Sequence, residues 1–110
     1  MSVHRPKPVE VEPEKNIVPW SVREIAARRD GERTRHLVGF IPETRTGRVS
    51  SPIIGFDQKT MTIITQTGRA YHLDSAPGSD VDAEYVWGYW KAALGARDEV
   101  NVTSEYCQLQ

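Results

Sequence analysis

Histidine and cysteine, the residues that most often carry chemistry in proteins, are sparse in this chain. The histidines are His4, His36 and His72, and Cys107 is the single cysteine. The histidines lie too far apart in sequence to match the short ligand spacings of zinc sites. His36 and His72 could meet across a sheet, with Cys107 as a nucleophile beside either of them. No cation adjoins Cys107 in Glu105-Tyr106-Cys107-Gln108 to lower the pKa of its thiol, so we expect no enzyme activity, no cofactor and no metal site.

Arginines gather around a predicted hairpin. Asp30-Gly31 is a two-residue turn signal between residues 20 to 29 and residues 32 to 41. In that register Arg28 lies opposite Arg33, with Arg35 further along the same face, so like charges meet unless an anion separates them. Arginine binds phosphate through two parallel hydrogen bonds. The predicted contacts for an anion or for nucleic acid are therefore Arg23, Arg28, Arg33, Arg35 and Arg48.

Residues 21 to 29 also fit a short helix. Ser21-Val22-Arg23-Glu24 is a capping-box sequence, and apolar residues follow it at helical spacing. In a helix, Arg28 and Arg29 point in different directions and the cluster disappears. We favour the hairpin over this alternative.

The segment DAEYVWGYWKAALG, residues 82 to 95, places four large aromatic side chains within six residues. One helical stripe is apolar and forms the predicted core face; it contains Ala83, Val86, Trp87, Trp90 and Leu94. Tyr85 and Tyr89, one turn apart, fall on the far side near Asp82. Tyrosine combines contact area with a hydroxyl and is frequent among the anchors of protein interfaces.

We therefore predict that Tyr85, Tyr89 and Asp82 bind a protein partner or a second copy of this chain. Two alternatives remain open. The segment Ile17-Val18-Pro19-Trp20 could fold over the tyrosines, or the tyrosines could simply be exposed.

The remaining elements follow from alternation and turn residues. The strands are expected at residues 20–29, 32–41, 48–56, 60–66, 69–73 and 100–107, and the helix at residues 80–94. Ser79 is the predicted N-cap and Gly95 the terminator. With Thr67-Gly68 as the two loop residues of one hairpin, Ile64 lies opposite Tyr71.

These elements predict an α+β fold in which a strongly bent antiparallel sheet of five or six strands, built from consecutive hairpins, carries the helix on one face. Residues 1–16 combine prolines with charges, which predicts a flexible arm. Residues 17–110 form the predicted single domain. The expected core comprises Val38, Phe40, Ile54, Phe56, Ile64, Tyr71, Leu73, Val86, Trp87, Trp90, Leu94 and Val102.

Charge is distributed unevenly along the chain. The formal net charge is −1, but residues 20–50 hold seven arginines and four acids, whereas residues 74–110 hold seven acids and two basic residues. The two halves are expected to attract each other. No apolar run reaches the length of a membrane span, and no secretory signal is visible. We therefore expect a soluble, cytoplasmic protein without membrane contact.

Together these features favour a small non-enzymatic interaction module, such as an adaptor, a regulatory subunit or an inhibitor of the kind that mobile elements encode. A nucleic-acid-binding β domain that uses the arginine-rich hairpin is the alternative.

Overall fold

The computed structural model describes residues 14–27 and 31–107. The described residues form eight strands, one α-helix and one 3-10 helix. In chain order these are β1 (Glu14–Ile17), β2 (Trp20–Ala26), β3 (Arg33–Ile41), β4 (Thr46–Val49), β5 (Ile53–Asp57), β6 (Thr62–Thr65), β7 (Ala70–Leu73), α1 (Val81–Leu94), β8 (Arg97–Asn101) and the 3-10 helix Thr103–Tyr106.

The strands form two four-stranded sheets, and the molecule has three layers. The middle sheet has the order β4-β3-β2-β8, and the outer sheet has the order β1-β7-β6-β5. On β3, Leu37 belongs to the core between the two sheets, whereas its neighbour Val38 belongs to the core beneath α1. The middle sheet is therefore covered on both faces.

The α+β class and the helix packed on one sheet face are confirmed, but the expected single bent sheet is only roughly matched. The predicted strand at residues 48–56 is in fact two strands in different sheets. β4 ends at Val49 and β5 begins at Ile53. Pro52 lies in the connection and has no amide hydrogen for a ladder. The amide of Ser50 still reaches the carbonyl of Leu37 at 2.9 Å, after which the chain leaves the middle sheet.

β1 lies at an edge of the outer sheet and pairs in parallel with β7. The sequence predicts Glu14 to Asn16 as part of the N-terminal arm, because they lack apolar side chains. Ile17 is fully buried between the sheets and Lys15 is also buried, so alternate side chains of β1 face the core. Residues 1–13 of the predicted arm lie outside the described residues.

The hairpin of β2 and β3 is confirmed, but its register differs from the prediction. Ala26 lies opposite Arg33, and the amide of Ala27 donates to the carbonyl of Glu32. The connection is thus longer than Asp30-Gly31. Arg28 and Asp30 lie outside the described residues, and Arg33 faces an alanine across the ladder.

The hairpin of β6 and β7 is also shifted by one residue. Ile63, rather than Ile64, lies opposite Tyr71. The amide of Thr65 donates to the carbonyl of Arg69, so the loop has three residues and ends at Gly68, which has φ 93°. A shift of one residue exchanges the two faces of a strand. Ile63 is consequently fully buried and Ile64 only half-buried.

The termini of α1 follow local chemistry. Asp80, not Ser79, is the N-cap, because its carboxylate accepts from the amide of Ala83 at 3.0 Å. Gly95 adopts φ 63° and ends the helix as predicted. At the start of α1, Gly47 of β4 lets the helix backbone approach closely. A Cβ atom on Gly47 would lie 2.6 Å from the amide nitrogen of Ala83.

Two parts of the predicted core are wrong. Ile54 is exposed because the edge strand β5 has an irregular register there, and Leu94 is exposed at the end of α1. The C-terminal strand begins three residues earlier than predicted, at Arg97, and is shorter. β8 ends at Asn101, whose side chain accepts from the amide of Thr103 as the 3-10 helix begins.

Candidate functional site

The helix α1 has one buried face and one bare face. Ala83, Val86 and Trp87 are buried against the middle sheet. On the opposite face Tyr85 is 49% exposed and Tyr89 is 61% exposed. The tryptophans therefore point inward and the tyrosines outward, as the helical periodicity predicts.

Aromatic packing fixes this orientation. Trp87 and Trp90 stack with ring centroids 5.4 Å apart, and the ring of His36 lies 4.3 Å from that of Trp90. His36 is itself held by Thr34 and by the carbonyl of Ser50, which lies 2.9 Å from Nδ1. Burial lowers the pKa of His36 below its ordinary value, so the neutral ring is the form that packs against the indoles.

Glu99 ties the helix to the neighbouring strand β8. Its carboxylate accepts from the Trp87 indole at 3.0 Å, from Lys91 at 2.6 Å and from Arg23 at 3.1 Å. Burial acts to raise the pKa of Glu99, but the hydrogen bonds from Lys91, Trp87 and Arg23 outweigh it and hold that pKa below its ordinary value. The charged network therefore stabilises the rotation of α1 that leaves the tyrosines outside.

The bare face extends over the whole helix. At about 100° per residue, five uncharged residues form one stripe, and we call it the tyrosine face: Val81, Tyr85, Gly88, Tyr89 and Ala92. Val81 is 79% exposed, and a Cβ atom on Gly88 would meet no described residue outside the helix backbone within 4 Å. The predicted contact Asp82 is half-buried at the margin of this face.

The segment that could have covered the tyrosines lies elsewhere. Ile17 and Trp20 are both fully buried in the core between the two sheets, and the Trp20 indole donates to the carbonyl of Ser75. That core is separated from α1 by the middle sheet. Residues 17 to 20 therefore do not cover Tyr85 or Tyr89.

Three of the four described arginines among the predicted contacts pair with carboxylates. The side chain of Arg23 lies on the face of the middle sheet that α1 covers, where it pairs with Glu84 at 2.5 Å and with Glu99. Its predicted companion Arg28 lies outside the described residues. Arg48 is buried and donates to the Tyr71 hydroxyl at 3.2 Å, while its Nη2 has no hydrogen-bond partner in the part of the chain that the structure describes.

Arg33 and Arg35 share one acid. Glu24 accepts from Arg33 at 2.5 Å and from Arg35 at 2.9 Å, and these two arginines, Arg33 first, lower its pKa. Glu105 forms a second ion pair with Arg35, and this contact contributes most to raising the pKa of Arg35. The repulsion expected among the arginines is thus relieved within the chain.

The residues considered for catalysis are dispersed. His36 packs under α1, whereas His72 lies in the outer sheet and contacts Glu14 at 2.7 Å. Cys107 is half-buried, donates to the carbonyl of Thr103, and lines a pocket of about 390 Å³ with Met61 and Asp74. Across residues 14–27 and 31–107, no group of three or more histidine, cysteine or acidic side chains is placed to hold a metal ion.

Sequence reasoning missed two contributors to the site, Val81 and Glu99. Val81 precedes Tyr85 by four residues, a spacing that could have extended the face to the start of the helix. The role of Glu99 had no sequence signal, since its contacts with Trp87 and Arg23 depend on the pairing of β8 with β2.

Comparisons of the chain with models of protein families, with curated proteins and with solved structures found no match. In the described part of the chain, no helix has both the length and the apolar character needed to cross a membrane.

Proposed function

We propose that this chain is a small, non-enzymatic protein-interaction module, such as an adaptor, a regulatory subunit or an inhibitor, that binds a protein partner through the tyrosine face. The observation that carries the proposal is the exposure of Val81, Tyr85 and Tyr89 on one side of a single helix. No element among residues 14–27 and 31–107 covers these side chains. An apolar stripe that the fold leaves bare is typical of an interaction surface.

The helix is well suited to present such a stripe. Asp80 caps its start, Gly95 ends it, and the stacked indoles of Trp87 and Trp90 fix its rotation. A surface that is already ordered loses less conformational entropy on binding. The tyrosine rings supply apolar area, and their hydroxyls supply hydrogen bonds at the margin of the contact.

The arginines give less support to the nucleic-acid alternative. Phosphate binding needs guanidinium groups that are available to solvent. Arg23, Arg33 and Arg35 are each paired with a carboxylate, and Arg48 is buried. We therefore do not propose this function for the described surface.

Site-specific photo-crosslinking tests the proposal. A photoreactive phenylalanine analogue replaces Tyr89 in one variant and Gln66 in a control, where the turn between β6 and β7 is exposed on the outer sheet. We expect covalent protein adducts from position 89 and none from position 66, either in the purified protein or in a host lysate. Adducts should decrease when Tyr85→Ala is added. Equal yields from both positions, or no adduct at position 89, would contradict the proposal.

A further inference from the structure

Two charged side chains flank the tyrosine face on the same side. Glu84 and Lys91 are seven residues apart, so they lie one above the other, about two turns apart, along α1. Their side chains remain 40% and 33% exposed. Within one chain Glu84 accepts from Arg23, and Lys91 donates to Glu99.

An acid and a base at this spacing make one flank of a helix complementary to the same flank of a second, antiparallel copy. A two-fold axis brings the same flank of each copy together, so residue i of one copy meets residue j of the other and the reverse. An axis midway between residues 84 and 91 places Glu84 of each copy opposite Lys91 of the second copy. The four side chains then form a row of alternating charge, in which Arg23 and Glu84 come from one chain and Lys91 and Glu99 from the other.

The same axis passes beside Gly88. The midpoint of Glu84 and Lys91 falls between Trp87, whose ring points into the core, and Gly88, which lies on the tyrosine face. Glycine inside a helix is less favourable than alanine, and outside the helix backbone no described residue lies within 4 Å of a Cβ atom added to Gly88. Close approach of a second helix backbone at this point would account for the glycine.

The tyrosines pair with each other in this register. Tyr85 of one copy lies level with residue 90 of the second copy, next to the exposed Tyr89 on the same face. Aromatic rings that meet offset or edge to face contribute beyond the area that they bury.

From the charges, the glycine and the packing together we infer that the tyrosine face binds a second copy of this chain, with the two α1 helices antiparallel across a two-fold axis beside Gly88. The inference rests on the proposed function and specifies its partner. The contact is one helix wide, so it belongs to the small, transient class of interfaces. We expect a dissociation constant below about 1 mM, which corresponds to roughly 4 kcal/mol of binding free energy.

Sedimentation equilibrium of wild type and Gly88→Leu tests the close approach. The added side chain enters open space in the monomer and favours the helix, so the variant should stay folded by circular dichroism. We expect its dimerisation to weaken at least tenfold, because the two backbones are pushed apart. Gln66→Leu, which adds the same side chain to an exposed turn of the outer sheet, should dimerise like wild type. Wild type that remains monomeric up to about 1 mM, or Gly88→Leu that dimerises normally, overturns the inference.

An exchange of charges tests the register. Glu84→Lys alone and Lys91→Glu alone each place like charges at both contacts of a homodimer. A mixture of the two variants places opposite charges at both contacts. We expect the mixture to associate about tenfold more tightly than either variant alone; a mixture that associates no better than its components rules out this register.

The two proposals fail in different ways. If crosslinking at position 89 yields adducts with another protein while wild type stays monomeric, the second-copy inference is wrong and the interaction module stands. If position 89 yields no adducts at all, both are wrong.

Discussion

His36 shows how one buried side chain links the core to the solution pH. Its ring lies against Trp87 and Trp90, and its two nitrogens contact Thr34 and Ser50. The sequence offered only a lone histidine in a strand, which is usually a surface or satisfied residue. The structure places it in the packing that orients the candidate site.

We predict that stability falls as the pH drops below about 6.5, the ordinary pKa of histidine. Burial lowers the pKa of His36 in the folded state, so between the two pKa values the unfolded chain binds a proton that the folded chain does not. Protonation therefore favours unfolding. The contribution of His36 to stability is complete only above the pKa that its side chain has in the unfolded chain. Urea titrations at pH 7.5 and pH 5.5 measure this loss, which should be smaller in His36→Gln than in wild type. An equal loss in both proteins contradicts the assignment.

Glu99 allows a second test at the residue scale. Glu99→Gln keeps the shape of the side chain but removes the charge that Lys91 and Arg23 contact, so we expect a loss of about 1–2 kcal/mol in the free energy of unfolding. Glu105→Gln removes the charge of a carboxylate that pairs with Arg35 and is more exposed than Glu99. This change should lower the free energy of unfolding by less than about 1 kcal/mol. Chemical denaturation measures both, and a larger effect at Glu105 would show that the network around Glu99 does not stabilise α1.

At the scale of elements, two glycines have opposite roles. Gly47 of β4 lies against the backbone at the start of α1, whereas Gly88 lies in the open on the other side of the same helix. In the sequence, Gly47 falls in the connection between the strands predicted at residues 32–41 and 48–56, and its role is not visible there because close approach of two backbones is a property of packing.

Alanine substitutions at these two positions should therefore have opposite effects on the free energy of unfolding. Gly47→Ala forces the helix away from β4 and should destabilise the fold by about 1–3 kcal/mol, as overpacking does. Gly88→Ala should stabilise the dilute monomer by up to about 1 kcal/mol through helix propensity. Denaturant midpoints measured at low micromolar concentration compare the two. Destabilisation by Gly88→Ala would mean that the helix surface at this position is not free.

At the scale of the whole molecule, the middle sheet joins two cores. Leu37 packs between the sheets and Val38 beneath α1, although they are neighbours on β3. Residues of β2 and β3 contribute to both cores. We therefore expect that neither the helix layer nor the outer sheet remains folded when the middle sheet unfolds.

We expect Leu37→Ala to cost about 2–5 kcal/mol and Val38→Ala roughly 2 kcal/mol. In both variants, tryptophan fluorescence and far-ultraviolet circular dichroism should report one coincident unfolding transition. Separate transitions in Val38→Ala, with fluorescence changing first, would show that the helix layer unfolds independently.

The sequence by itself determined the helix, its Gly95 terminus and the division into inward tryptophans and outward tyrosines. These depend on local periodicity and caps, which any stretch of chain carries with it. It also indicated the hairpins and the attraction between the basic and acidic halves. Only the tertiary structure decided the registers, the separation into two sheets and the partners of the arginines. Arg23 contacts Glu84 across 61 residues of sequence, and such a contact can form only after strands that are distant in sequence have paired.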